Sequence, residues 1–182
     1  MTSRRRTLGL FVAVATLTLA LIPPSASAAG PPHVERRPAD ARWLDGTVEL
    51  SVSPDAVRAA VGNVGNWPQL FTDVTAVAVK SRAGTRQVAA VHSRILGGHA
   101  HVFTVVDEGS RFDVAIDVTG VDARGTISIL PGGREGTSRA LFSLYAATSG
   151  VAGFFLSEAA LRTKQEAMVR TYLTDLGRLE RR

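Results

Sequence analysis

A run of glycine-centred breaks between Val74 and Ala146 constrains this chain more than any other feature. The breaks fall at Gly84, Gly97–Gly98, Gly109, Gly120 to Gly125 and Gly132–Gly133. Glycine accepts the positive φ angles that tight turns require, and the segments between the breaks have the residue pattern of β-strands. The spacing therefore predicts six strands that follow one another in an antiparallel meander.

The residues before this stretch predict one more strand and two short helices. From Thr47 to Ser53 every second residue is valine or leucine, which is typical of a half-buried strand. Ser53 is a suitable N-cap and Pro54 suits the first turn, so a helix is expected to start there. A second short helix or turn is expected over residues 66–71, with Trp67 and Phe71 directed inward.

The last segment, roughly residues 154–181, predicts a long amphipathic helix. Its apolar residues recur at helical spacing, at Leu161, Met168, Val169, Tyr172, Leu173, Leu176 and Leu179. A curved antiparallel sheet needs a cover for its apolar concave face, and only this helix is long enough. The expected architecture is α+β: a seven-stranded curved antiparallel sheet, two short helices after the first strand, and a long C-terminal helix covering an apolar cavity.

The first 28 residues have the organisation of a cleavable signal peptide. Arg4–Arg6 is positively charged, Leu8 to Ile22 is an uncharged run of 15 residues, and Ala26-Ser27-Ala28 is a small-x-small cleavage site. The alternative is an uncleaved membrane anchor, but a membrane span needs about 20 residues and this run is shorter. No stable span is expected after cleavage. The expected location is periplasmic or secreted, reached by the Sec route or, given Arg4-Arg5, by the twin-arginine route.

The segment 29–42 contains three prolines and is expected to be a flexible leader to a single domain of residues 43–182. Loss of the signal leaves 18 Lys and Arg against 16 Asp and Glu, a net charge of +2 that does not suggest binding to nucleic acid. The chain has no cysteine, which excludes disulfides, a thiolate metal site and a cysteine nucleophile. Nothing in the sequence indicates an oligomeric state.

Three stretches together resemble the START-like SRPBCC superfamily. Residues 51–57, followed by residues 66–70, resemble its opening strand, its helix start and its "WP-x-L" turn. Ile127–Pro131 and the following Gly136-Thr137 resemble its late hairpin, and the amphipathic C-terminal helix is the third stretch. The resemblance extends over about residues 47–179.

The resemblance implies the helix-grip fold that birch-pollen allergen, polyketide cyclase-like proteins and coenzyme Q-binding START domains share. It also implies a cavity between sheet and helix that holds a small hydrophobic molecule or lipid. No cofactor is expected. It does not imply catalysis, because most members share no catalytic residue. The sequence departs from the superfamily pattern at Arg58, where tryptophan is common, and at Ile127 and Ile129, where the hairpin usually has aromatic residues.

The glycine turns suggest which side chains face this cavity. If Gly97–Gly98 is a two-residue hairpin loop, Arg94 pairs with His101 and His92 with Phe103. If Glu108–Gly109 closes the next hairpin, Phe103 pairs with Val114, and paired residues share a face. The predicted inner surface then comprises His92, Arg94, His101, Phe103, Val105, Phe112, Val114 and Ile116, and the outer surface comprises Ser93, Ile95, Val102, Thr104, Asp113 and Asp117.

Extending the inner surface to the late hairpin and the helix predicts the ligand-binding residues. They are Trp67, His92, Arg94, His101, Phe103, Phe112, Val114, Ile116, Ile127, Ile129, Phe142, Leu144, Met168 and Tyr172. Most are apolar with a few polar groups, as small-molecule sites require. Arg94 either meets an anionic or carbonyl head of the ligand or stays in water at the rim. Trp67 either stacks on the ligand or belongs to the core, and the Tyr172 hydroxyl either anchors the ligand or reaches water.

Three histidines, His92, His99 and His101, raise further hypotheses. A zinc site would need their nitrogens to converge within about 2.1 Å of one point, and no metal is expected because their strand positions are too far apart. A cyclase, dehydratase or hydrolase would use His92 or His101 as general base and Arg94 to stabilise an oxyanion. A further alternative is an interaction module with a collapsed cavity. The primary expectation is an exported protein that carries or sequesters a small hydrophobic ligand.

Overall fold

The computed structural model describes residues 30–153 and 157–179. The predicted signal peptide over residues 1–28 lies outside the described residues. Within them, eight antiparallel strands form one sheet in the order β1-β2-β8-β7-β6-β5-β4-β3. The strands are β1 (His33–Arg36), β2 (Trp43–Leu50), β3 (Val74–Ala83), β4 (Arg86–Ser93), β5 (Ala100–Asp107), β6 (Arg111–Val118), β7 (Val121–Pro131) and β8 (Ser138–Thr148).

The helices lie mainly at the two ends of the meander. They are α1 (Pro54–Gly62), α2 (Trp67–Leu70), α3 (Gly150–Gly153) and α4 (Glu158–Leu176), with a 3₁₀ turn at Val64–Asn66. As predicted, Ser53 caps α1: its hydroxyl accepts a hydrogen bond from the Ala56 N–H at 3.4 Å. The predicted α+β architecture is confirmed, including the two short helices and the six strands β3 to β8 of the meander.

The sheet has eight strands rather than the predicted seven. The additional strand, β1, lies in the segment that was predicted to be a flexible leader, so that prediction is wrong for residues 33–36. β1 pairs with β2 from His33↔Thr47 to Arg36↔Leu44, and Val34 packs against the core. Its short, proline-flanked sequence has little strand pattern of its own, and pairing with β2 supplies the missing stabilisation. β2 itself spans Trp43–Leu50, four residues earlier than the predicted start at Thr47.

Two glycines allow close approach inside the fold. A Cβ added at Gly46 of β2 would lie 2.6 Å from Leu173 Cδ1 and 2.7 Å from Val169 Cγ1, so the C-terminal half of α4 rests directly on the sheet. Gly125 was predicted to lie in a break but lies inside β7. A Cβ there would collide with the backbone carbonyl of Ser143 on β8, so the glycine permits the two long strands to approach closely.

One glutamine ties α4 to the sheet. Gln165 is buried, and its Nε2 donates to the carbonyls of Leu144 at 2.6 Å and Arg42 at 2.8 Å. Its Oε1 accepts from the Arg36 guanidinium at 3.0 Å, which links the helix to β1 as well. Because every polar atom of this amide has a partner, its burial costs little. The amide therefore helps to set where α4 crosses β2 and β8.

No helix within the described ranges combines the length and the apolar character that crossing a membrane requires.

Candidate ligand-binding site

Aromatic side chains fill one end of the space between sheet and helix. The Trp67 ring is buried, its Nε1 donates to the Val61 carbonyl at 2.8 Å, and it meets Phe71 and Phe103 edge-on at centroid distances of 5.6 and 5.9 Å. Phe71 stacks on Tyr172 at 4.3 Å. Such offset and edge-on contacts between buried rings add to the apolar burial. This end of the interior is therefore packed core.

The other end contains a cavity of about 250 Å³ beneath the N-terminal half of α4. Its walls come from β6, β7, β8, α4 and the β4–β5 loop. The described lining residues are mostly aliphatic: Leu96, Ile116, Val118, Thr119, Val121, Ala123, Leu144, Ala146, Ser157, Ala160, Leu161, Lys164, Gln165 and Met168. Lys164 is the one charged side chain in this set.

A gradient of side-chain size along the strands explains why space remains at this end. On the inner faces of β7 and β8, Ile127 pairs with Phe142. Toward the start of β7 and the end of β8, the next inner pairs are Gly125–Leu144 and then Ala123–Ala146. α4 shows the same trend, from Tyr172 in the packed region to Ala160 over the cavity. Large pairs fill the first region, and alanines leave the second open.

The predicted hairpin at Gly97–Gly98 is wrong. β4 ends at Ser93 and β5 starts at Ala100, so the connection has six residues, Arg94 to His99. His92 pairs with Ala100 rather than with Phe103, a difference of three positions. Because strand faces alternate, an odd shift moves every residue of β4 to the opposite face. His92 therefore leaves the inner surface, and Ser93, predicted outside, becomes buried.

A buried carboxylate accounts for this longer loop. Asp73 is 4% exposed; its Oδ2 accepts from the Ser93 hydroxyl at 2.6 Å and its Oδ1 from the Ile95 N–H at 2.8 Å. The Ser93 hydroxyl oxygen in turn accepts from the Leu96 N–H at 3.1 Å. These bonds satisfy backbone groups that a tight hairpin would pair across the strands. No local pattern in the sequence indicates this role of Asp73, because its partners lie about 20 residues away.

The loop places the predicted polar site residues outside the cavity lining. Arg94 is exposed, and its Nη1 donates to the Thr72 carbonyl at 3.3 Å. His92 Nδ1 lies 3.1 Å from the Gly98 carbonyl oxygen, and His101 Nε2 lies 3.3 Å from that of Leu96. None of these three predicted ligand-binding residues lines this cavity, because the two histidines lie against the loop's own carbonyls and Arg94 against Thr72, which precedes β3.

The histidines do not converge. His99 is exposed in the loop, while His92 and His101 lie on opposite faces of the sheet. In the described part of the chain, no three His, Cys, Asp or Glu side chains come together in a way that would hold a metal ion.

The second predicted hairpin differs by two positions, which preserves the faces. Phe103 pairs with Ile116 instead of Val114, so Phe103, Phe112, Val114 and Ile116 remain on the buried face. Three of the predicted ligand-binding residues line the cavity: Ile116, Leu144 and Met168. The other apolar ones, Trp67, Phe103, Phe112, Val114, Ile127, Ile129, Phe142 and Tyr172, are buried but absent from its lining, because they fill the packed end with one another.

Tyr172 is absent from the described lining of this cavity and does not reach water. It is 3% exposed, and its hydroxyl is buried beside the Asp73 carboxylate. Burial raises the pKa of Tyr172 well above its ordinary value, and the nearby negative charges of Asp73 and Asp175 raise it further. Asp175 accepts from the Thr72 N–H at 2.7 Å and the Thr72 hydroxyl at 2.8 Å. Tyr172 is therefore a neutral core residue beside two hydrogen-bonded carboxylates.

The β4–β5 loop forms part of the cavity rim. Leu96 contributes its side chain to the lining, and Lys164 Nζ on α4 donates to the Ile95 carbonyl at 2.5 Å. The loop is thus held from below by Asp73 and from the helix by Lys164. Lys164 was not among the predicted site residues, although its position between the apolar residues Leu161 and Met168 of the helix was a usable signal.

Asp73→Ala is expected to lower the free energy of unfolding by about 1–3 kcal/mol, because it leaves the Ser93 hydroxyl and the Ile95 N–H without acceptors. Urea unfolding measures the loss, and faster hydrogen exchange at Ile95 and Leu96 should accompany it. Asp117→Ala, which removes an exposed carboxylate on β6, is the control and should change stability by less than about 0.5 kcal/mol. Equal effects of both substitutions would contradict the role given to Asp73.

An antiparallel sheet that packs against a C-terminal helix beside an apolar cavity defines a START-like, helix-grip protein. The sequence matches the model of the polyketide cyclase / dehydrase and lipid transport family over residues 44–181, and the chain belongs to that family. A search of curated proteins found no significant match.

Solved structures show the same fold. A START superfamily protein from Mycobacterium smegmatis superimposes with a TM-score of 0.60 at 14% identity, covering 76% of this chain and 97% of that one. The ZhuI aromatase/cyclase from Streptomyces sp. R1128 gives a TM-score of 0.62 at 17% identity, covering 82% of this chain and 96% of its own. At these identities the likeness concerns the fold alone.

Proposed function

We propose that this protein binds a small hydrophobic or lipid-like molecule in the cavity under α4 and carries or sequesters it. The observation that supports this most directly is the cavity of about 250 Å³, whose described lining is aliphatic except for Thr119, Ser157, Lys164 and Gln165. A mostly apolar wall with a few polar groups is the usual make-up of a small-molecule site. The "lipid transport" part of the family description agrees with this proposal.

The volume sets the size of the ligand. At about 30 Å³ for each water-sized group, 250 Å³ holds roughly eight methylene-sized groups. Each methylene removed from water contributes about 0.8 kcal/mol. A chain of about eight carbons therefore gains most of the available binding energy, and longer chains would extend into solvent.

The placement of the polar residues does not favour the alternative functions. A cyclase-like mechanism needs His92 or His101 together with Arg94 facing the substrate, and none of the three lines this cavity. An interaction module with a collapsed core would lack a space of this size. We further propose that the domain acts in the periplasm or outside the cell, as the signal-like residues 1–28 suggest.

A series of 1-alkanols tests the binding proposal. In calorimetric titrations of the residue 29–182 protein, affinity should rise about fourfold per methylene from 1-butanol to 1-octanol and then level off. The plateau follows from the cavity volume. Failure of every alcohol to bind, or binding that does not depend on chain length, would refute the proposal.

A further inference from the structure

We infer that the natural ligand carries a single negative charge, of the carboxylate type, at the end of its apolar chain, and that Lys164 binds this charge. The inference rests on the proposed function, since it names the class of molecule that the cavity would take. Lys164 is the charged residue in the mostly aliphatic lining of the cavity, and its side chain is exposed at the rim. An ammonium group at that place is at the boundary between the apolar space and water.

The helix offers Lys164 no acidic neighbour. Its positions three and four residues away on either side are Ala160, Leu161, Ala167 and Met168. These are the positions at which a helix forms ion pairs, so none can form here. Further along α4, the Glu158 carboxylate lies 3.5 Å from Arg162 and the Glu166 carboxylate 2.9 Å from Arg170. Neither acid is left for Lys164.

Other elements do not neutralise this charge either. Among residues 30–153 and 157–179, no acidic side chain lies within ion-pairing distance of Lys164. Some arginines elsewhere do have carboxylate partners, as in Arg58–Asp107 and the bidentate pair Arg37–Asp45. The ammonium of Lys164 makes one described hydrogen bond, to the Ile95 carbonyl, which does not cancel a full charge.

The donor count suits a carboxylate. A lysine ammonium has three N–H donors, so Lys164 can keep its bond to Ile95 and still donate to a ligand oxygen. One lysine balances one negative charge, whereas a phosphate monoester carries about 1.5 to 2 at pH 7. The described lining contains no second cation for the excess. A fatty acid of about eight carbons would place its tail under α4 and its head at Lys164.

Octanoate and 1-octanol, titrated at pH 7.5 into the residue 29–182 protein, test this inference. Lys164→Gln should lower the affinity for octanoate about five- to tenfold, which is the contribution of one charge-assisted hydrogen bond at a partly exposed site. The affinity for 1-octanol should change by less than about twofold. Lys164→Arg should restore most of the octanoate affinity. The chain has only two lysines, and Lys80→Gln on exposed β3 is the matched control. It is expected to change the affinity for neither ligand.

A chemical readout complements the titrations. Octanoate should protect Lys164 from reductive methylation and leave Lys80 unprotected in the same sample, while 1-octanol should protect Lys164 less. If 1-octanol binds and octanoate is insensitive to Lys164→Gln, the inference is overturned and the cavity proposal stands. If neither probe binds, both are overturned.

Discussion

Ala123→Phe is expected to abolish binding of 1-octanol and octanoate while the domain remains folded. Ala123 lies on β7, and its side chain lines the cavity opposite α4. The substitution adds six ring carbons to a space that holds roughly eight methylene-sized groups. Affinity should fall at least about 100-fold, or about 2.7 kcal/mol. Because the ring enters open space, the free energy of unfolding should stay the same or rise.

A matched substitution on the other face of the sheet controls for general effects of a new aromatic residue. Ala115 of β6 is exposed and pairs with Arg124, so Ala115→Phe places the same ring outside. Calorimetric titration of both variants, with thermal unfolding to check the fold, measures the difference. Full binding by Ala123→Phe would show that the ligand site is not this cavity. Equal loss in both variants would show that the effect does not depend on filling it.

Trp67→Ala is expected to cost about 3–5 kcal/mol of unfolding free energy, the largest stability effect of any substitution considered. Trp67 is 1% exposed, meets Phe71 and Phe103 edge-on, and satisfies the Val61 carbonyl. Truncation leaves a large void among aromatic rings and an unpaired buried carbonyl. Because the total unfolding free energy of a domain is about 5–15 kcal/mol, a loss of this size would leave a domain at the lower end of that range partly unfolded at room temperature.

The second tryptophan of the chain is the natural control. Trp43 on β2 is half-buried, and the Arg37 guanidinium carbon lies 4.6 Å from its ring centroid. Trp43→Ala should cost about 1–2 kcal/mol, from partial burial and the cation–π contact. Urea unfolding compares the two variants. Trp67→Phe keeps most of the packing, so its affinity for 1-octanol should stay within about twofold of that of the original protein. A large loss of affinity would indicate that Trp67 contacts the ligand.

Features that depend on nearby residues were predictable. The cap at Ser53 and the turn glycines act within a few positions, and their effects appear in the structure as α1 and the meander. The faces of Phe103, Phe112 and Val114 were also correct, although the hairpin register differs by two, because an even shift keeps side chains on the same face. Local chemistry and strand alternation are sufficient for such features.

Features that depend on distant residues were not predictable in the same way. Asp73 lengthens the β4–β5 loop through Ser93 and Ile95, and the resulting odd shift moves His92 outward. β1 exists because β2 offers an edge to pair with. In both cases the deciding contact joins segments that are separate in the sequence, so no local pattern indicates it.

The amino-acid sequence by itself determined the α+β class, the order of β2, the two short helices, the meander and the long helix, and the apolar face of that helix, since periodicity and turn chemistry are properties of short segments. Tertiary structure alone decided where the interior is full and where it is open. Whether alanines such as Ala123 and Ala146 leave a cavity depends on how closely α4 approaches them, and that distance is set elsewhere, by Gly46 and Gln165. The cavity is thus a product of packing among elements that no single segment encodes.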